Sequence, residues 1–346
     1  MSMACSTSPH PASGDCPAGL ECPTVTVTQN ASDSKVSAEL AVTSGALYWV
    51  DRGWAITDSI VAAPIGGGSP TVFYVAPDTN AAIEAIAVDG QDVYWTEVEA
   101  SDTGYASTLK AMPQGNGGTP RVLASSPSPS LVFYNLAVDA TYAYFSVQAE
   151  PFVGGGGLER VPIAGGPAEV VVATDATDPS GAWVDFITAG STGVYWIEQS
   201  PDAYTSLMRL APGAEQPSIL VSASLDGNGV PVSPAGPIAV NGDTVVWIGS
   251  DGSVSSAPAA GGTARVLLDG YARATFLAEG ESDVFVVGSP PGATAVMQRV
   301  PLDGSPATTI ASGMGVAGGY SAYQGIVTDA TSVYWAGVGG VFSAPQ

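Results

Sequence analysis

The chain has 346 residues, 45% of them hydrophobic and 12% charged, and its 32 Asp and Glu against 9 Lys and Arg leave a formal net charge of −23. So acidic a chain repels phosphate backbones and anionic headgroups, which excludes nucleic acid and anionic membrane as partners. The one histidine, His10, lies near the N-terminus, so Ser-His-Asp and Cys-His catalysis and His-ligated zinc or haem are excluded from the rest of the chain.

Residues 1–22 read as a flexible, cysteine-bearing tail. Cys5, Cys16 and Cys22 are all the cysteines the chain has. The Cys16–Cys22 spacing suits a small disulfide loop, hence an oxidising compartment. Cys5 is then a free thiol or the lipid-bearing cysteine of a surface lipoprotein. No stretch approaches the roughly 18 consecutive apolar residues of a membrane span. No charged-then-apolar leader follows Met1, so an export signal would lie outside this sequence. The expected location is extracytoplasmic (secreted, periplasmic or cell-surface), with a lipid anchor in the tail as one route to the surface.

After the tail comes "PTVTVTQ" (23–29), a clean alternating β-segment. One pattern then recurs seven times: "LAVTSGALYWVD" (40–51), "IAVDGQDVYWTE" (86–97), "LAVDATYAYFSV" (136–147), "ITAGSTGVYWIE" (187–198), "IAVNGDTVVWIG" (238–249), "LAEGESDVFVVG" (277–288) and "IVTDATSVYWAG" (326–337). The anchor position is Trp49, Trp95, Phe145, Trp196, Trp247, Val286 and Trp335, at spacings of 39 to 51 residues. That period belongs to propeller blades.

The second copy shows one unit in full. "IEAIAVD" is an apolar inner strand, Asp89–Asp92 a tight turn, and "VYWTEV" an aromatic, β-branched second strand. "YASTLKAMP" makes a third strand stopped by Pro113, "QGNGG" turns the chain, and "TPRVLAS" is the fourth. The Pro and Gly pairs recur in "VAAPIGGGSPTV", "RVPIAGGPAEVV", "SAPAAGGTARVL" and "RVPLDGSPATTI". They are scaffold signals, since no helix or Lys-Ser/Thr follows as a phosphate loop requires. The seventh unit ends after its third strand, at Gln346. Pairing residues 24–28 with 340–345 would supply its fourth and close the ring. The expected fold is all-β: one seven-bladed propeller of four-stranded blades over residues 23–346.

"LYWVD" (47–51) and "VYWTE" (93–97) resemble the YWTD repeat of lipoprotein-receptor propellers and the repeats of related bacterial extracytoplasmic propellers. The resemblance covers residues 23–346 and implies a rigid binding platform with no obligatory chemistry. The chain departs from it in having seven blades rather than six and no following EGF-like module. Tyr94 and Trp95 are then expected to face opposite neighbouring blades as core.

Function is expected on loops of one face. Blades one to four carry long ones, "DRGWAITDS", "EVEASDTGYAS", "QAEPFVGGGG" and "EQSPDAYTS", whereas blade five has "GSDGS". The candidate ligand-binding residues are Trp54, Tyr105, Phe152, Trp183 and Tyr204, with Asp51, Glu97 and Glu198 at the end of the second strand in blades one, two and four. Aromatics beside carboxylates suit a glycan, a peptide or protein segment, or a cationic small ligand. The expected function is noncatalytic binding. The alternative is a glycan hydrolase or lyase using Asp51, Glu97 and Glu198. No cofactor is required. If calcium binds, the oxygen donors of Asp175, Asp178 and Asp226, with Asp185 nearby, are the ligands to expect.

Overall fold

The structure, a computed structural model, describes residues 25–29, 35–52, 57–115, 118–149, 156–173, 183–199, 205–225, 231–271, 273–312, 325–337 and 340–346. Seven four-stranded antiparallel sheets are arranged as a β-propeller. Blade one is built from Lys35–Val42, Ala46–Arg52, Ser59–Pro64 and Thr71–Val75. Blade two is Ala81–Val88, Asp92–Ser101, Gly104–Pro113 and Arg121–Ser125. The inner strands of blades three to seven are Leu131–Val138, Trp183–Gly190, Pro234–Asn241, Arg273–Glu279 and Ile326–Thr328.

Blade seven is completed from the other end of the chain. Val25–Gln29 pairs antiparallel with Gly340–Pro345, matching Val25 to Ser343 and Gln29 to Gly340. Its position removes an open edge from blade seven.

The repeated aromatic pair packs the ring. Successive residues of a strand point to opposite sheet faces. Tyr94 therefore enters the core shared with Phe133, Leu136 and Phe145 of blade three, while Trp95 enters the one shared with Tyr48, Val50 and Ile60 of blade one. Tyr48, Tyr144, Tyr195 and Tyr334 likewise face the following blade, and Trp49, Trp196, Trp247 and Trp335 the preceding one. All of these rings are buried.

The Asp of "AVDGQD" is the turn's organiser. Asp89 Oδ1 accepts from the backbone N–H of Gln91 and of Asp92, both at 2.7 Å, and Oδ2 accepts from the Tyr94 hydroxyl at 2.7 Å. Asp139 with Tyr144 and Asp329 with Tyr334 repeat the arrangement. An Asx turn thus fixes the strand reversal while satisfying the phenol of a buried tyrosine.

Two departures from the sequence reading stand out. "EVEASDTGYAS" is not a loop: it extends the second and third strands of blade two to ten residues each, reversing at Ser101–Gly104. Gly104, at φ +128°, permits the tight reversal. The segment between blades four and five holds a small ribbon, Ser224–Leu225 against Pro231–Val232. In blades one to six the outer strand also shifts register beside the third strand. Such bulges twist an exposed edge away from pairing with another chain.

Candidate functional site

Seven inner strands surround a central cavity of about 620 Å³. Aliphatic side chains line it all round, among them Leu40, Ile86, Leu136 and Ile187 of blades one to four, and these blades add Glu39, Glu84, Asn135, Gln148 and Asp185 together with Tyr134, Trp183 and Phe186. Blades five to seven contribute Pro237, Ile238, Leu277, Ala278, Ile326 and Val327, with Glu279 and Thr328 only at the strand ends.

The inner strands of blades one to six are all irregular, and in blades one to four the irregular stretch carries polar side chains. The register against the second strand slips between Val36 and Leu40, Ile83 and Ala85, Phe133 and Leu136, and Asp185 and Thr188. A bulge inserts an unpaired residue and re-aims its neighbours. Glu39, Glu84 and Asn135 lie within the slipped segments and Asp185 at the edge of one, so all four meet the cavity rather than an apolar seam. Phe186, in the same bulge as Asp185, holds φ at +53°, an uncommon conformation for a bulky residue.

Arg52 ties the first two acids together. Its Nη2 lies 3.5 Å from both Glu39 Oε1 and Glu84 Oε2 and donates to the Ile83 carbonyl at 2.7 Å. Burial pulls the guanidinium down, but Glu39, Glu84 and Asp58 outweigh it and hold its pKa above the ordinary value. Asn135 Nδ2 donates to Asp185 Oδ1 at 3.3 Å and to Ser146 Oγ at 3.1 Å. Burial pushes the Asp185 carboxyl up, and the Asn135 hydrogen bond offsets part of that shift. Glu279 keeps water contact in the channel, yet protein surrounds it around the ring, and this desolvation raises its carboxyl too. Gln148 is 7% exposed, lines the cavity, and its side-chain amide makes no hydrogen bond among the described residues.

Of the residues expected from sequence, Trp183 lines the cavity. Tyr105 sits on a strand, its backbone N–H donating to the Pro129 carbonyl at 2.8 Å, with its side chain exposed. Asp51, Glu97 and Glu198 share one register, opposite Ser59, Thr108 and Ser206, but none lines the cavity. Glu97 is engaged between blades: Lys110 Nζ reaches Oε1 at 2.5 Å, and the Tyr74 hydroxyl and Trp95 Nε1 donate to Oε2 at 2.7 and 3.4 Å. Glu198 Oε2 accepts from Trp196 Nε1 at 3.3 Å. Asp51 has a raised pKa, through burial and then the nearby Asp58. Trp54, Phe152, Tyr204, Asp175, Asp178 and Asp226 lie outside the described residues.

Sequence reasoning passed over Glu39, Glu84, Asn135, Gln148 and Glu279. For Glu39, Glu84 and Asn135 a signal was present: one polar residue interrupts the inner strand of each of blades one to four at nearly the same place, in "AELAV", "IEAIAV", "YNLAV" and "WVDFITA". Among the described residues no group of three or more His, Cys, Asp or Glu could hold a metal ion. Among them, too, no helix is long and apolar enough to cross a membrane.

No protein-family model matches the chain, and no curated protein sequence does. Solved structures do. An oligogalacturonate lyase in complex with manganese is similar at a TM-score of 0.65 and 11% identity, over 96% of this chain and 94% of that one. YCF48 bound to D1 peptide is similar at 0.58 and 9%, over 94% and 97%. A prolyl endopeptidase is similar at 0.60 and 13% over 93% of this chain, which spans only about half (51%) of that enzyme's length. These likenesses speak to fold alone, and with the sheet topology they make the chain a seven-bladed β-propeller, an architecture shared by binding proteins and enzymes.

Proposed function

We propose that the protein is a noncatalytic extracytoplasmic binding propeller whose ligand enters the central channel against blades one to four. The observation that carries this reading is the cluster of polar and aromatic groups that blades one to four set into an otherwise aliphatic cavity of ligand size. The YWTD-like repeat supports it, because that repeat builds a rigid platform rather than a reactive centre. So does the engagement of Glu97 and Glu198 by neighbouring side chains, which leaves them as parts of the blade seams. The lyase-type fold likeness keeps a glycan lyase or hydrolase as the alternative. A glycan and peptide array screen, with and without calcium, tests the reading. A ligand bound by the wild type and lost about tenfold in Trp183→Ala at unchanged melting temperature supports it. Release of cleaved product from a bound glycan, or array binding indifferent to Trp183→Ala, overturns it.

A further inference from the structure

We propose that the channel holds a primary carboxamide on an apolar body, its head paired with the side-chain amide of Gln148 and its body packed on the aliphatic wall. This rests on the binding reading above and names the chemistry of the ligand.

Gln148 is the mark of an occupant. Of the polar groups on the wall, Glu39, Glu84, Tyr134 and Trp183 have partners within the fold, and Asn135 donates to Asp185. Gln148, on the second strand of blade three, is 7% exposed and meets the cavity with its amide unpartnered among the described residues. A side-chain amide buried so deeply ordinarily has a hydrogen-bond partner.

The chemistry of that amide selects the head. It presents a carbonyl acceptor and N–H donors side by side on one carbon. A carboxylate brings only acceptors and an ammonium only donors, so either ion meets one side of the amide and leaves the other bare. A hydroxyl is a single atom and reaches one side at a time. A primary carboxamide meets both in two parallel hydrogen bonds and has one N–H left over. Oxygens for it lie close by. Ser146 stands two residues before Gln148 on the same sheet face, and its Oγ accepts from Asn135 Nδ2 at 3.1 Å. Asn135 donates in turn to Asp185 Oδ1 at 3.3 Å, so an Asn135 and Asp185 row borders Gln148.

The rest of the wall selects the body. Leu40, Ile86, Leu136, Ile187, Ile238 and Leu277 line the cavity. A sugar, hydroxylated on most of its carbons, would lay unpaired polar groups against them, whereas an alkyl or aryl group would not. The net charge of −23 further disfavours an anionic ligand.

Phe186 is an independent sign. It lines the same cavity, in the bulge beside Asp185, with φ at +53°. No other non-glycine residue among the described ones has a positive φ. Backbone strain of this kind in a bulky residue clusters at ligand clamps, where the surroundings hold it in place.

The test is calorimetric titration of the full chain with hexanamide, hexanoate, hexylamine and N,N-dimethylhexanamide, which share one acyl or alkyl chain and differ in the head. Hexanamide is expected to bind at least about tenfold more tightly than each of the other three, because a site built around paired hydrogen bonds rejects analogues that leave its groups unmet. Gln148→Leu breaks no existing hydrogen bond, so it should remove that preference at unchanged melting temperature. Gln148→Glu keeps the shape but loses the donors, and should transfer the preference to hexylamine. The capped peptide Ac-Leu-Gln-Leu separates the sources: tighter binding than hexanamide identifies a glutamine side chain of a peptide, weaker binding a free amide. Equal affinity for amide and either ion, no binding of hexanamide or the peptide, or indifference to Gln148→Leu overturns the proposal. If array ligands are still lost in Trp183→Ala while hexanamide and the peptide fail to bind, the inference falls and the binding function stands.

Discussion

The indole Nε1 of Trp49 and the Oδ1 of Asp51 are both buried and both lack a hydrogen-bond partner. At the same register, Trp95 donates to Glu97 and Trp196 to Glu198 at 3.4 and 3.3 Å. Blade one has the same device with a carboxylate one methylene shorter, so the pair does not close. Asp51→Glu is therefore expected to stabilise the protein by about 0.5–1.5 kcal/mol, the net value of one hydrogen bond plus relief of two orphaned groups. Denaturant unfolding together with slower exchange of the Trp49 indole proton would register the gain. No gain in either measurement would mean that water already bridges the two atoms.

Asp89 and Tyr94 give a ranked pair. Removing the phenol in Tyr94→Phe loses one hydrogen bond, about 1 kcal/mol. Asp89→Ala strands that phenol and also uncaps the N–H groups of Gln91 and Asp92, so it should cost about 2 kcal/mol or more. Urea denaturation should return that order. The reverse order would show that the turn is held by its backbone alone.

Trp95 is fully buried between blades one and two. Trp95→Ala should cost roughly 3–5 kcal/mol, as other large-to-small core changes do. A folded variant of unchanged melting temperature would contradict its role as core.

Closure by the N-terminal strand predicts contrasting truncations. Loss of residues 1–22 keeps Val25–Gln29 in the chain and should leave the melting temperature nearly unchanged. Loss of residues 1–29 strips Val25–Gln29 from Gly340–Pro345 and opens an edge, so aggregation or a large fall in melting temperature is expected. Light scattering during thermal ramps distinguishes them, and identical behaviour of the two truncations would refute closure.

Stability should rise on mild acidification. Burial raises the carboxyls of Asp51, Asp58, Glu159, Asp185 and Glu279, so their ionised forms are disfavoured in the fold. That penalty is full above their elevated pKa values and is relieved as pH falls through them. Asp89 is the opposite case. Burial alone would raise it, but hydrogen bonds from Asp92, Gln91 and Tyr94 prevail, and its contribution is lost as pH falls below the ordinary 3.8. Scanning calorimetry at fixed ionic strength should show a maximum on the acid side of neutrality, near about pH 5. A melting temperature that falls steadily from pH 8 to 5 would exclude this balance. Asp185→Asn should flatten part of the rise.

The sequence by itself determined the ring. A period-2 alternation puts Tyr94 and Trp95 on opposite faces wherever that strand lies, and a repeat of 39 to 51 residues leaves a blade-sized unit as its reading. The missing fourth strand of unit seven and the spare strand at its start are countable in one dimension. The channel was decided elsewhere. Glu39 and Glu84 lie where bulges interrupt the ladder and Asp185 at the edge of another, and a bulge shows in the pairing of two strands, not in either strand alone. Glu97 looked like a loop-end acid because Lys110 and Tyr74, which take up its carboxylate, are 13 and 23 residues away. Tyr74 belongs to another blade. Local periodicity sets which way a side chain leaves its own sheet, while only the closure of seven sheets around an axis sets what it meets there.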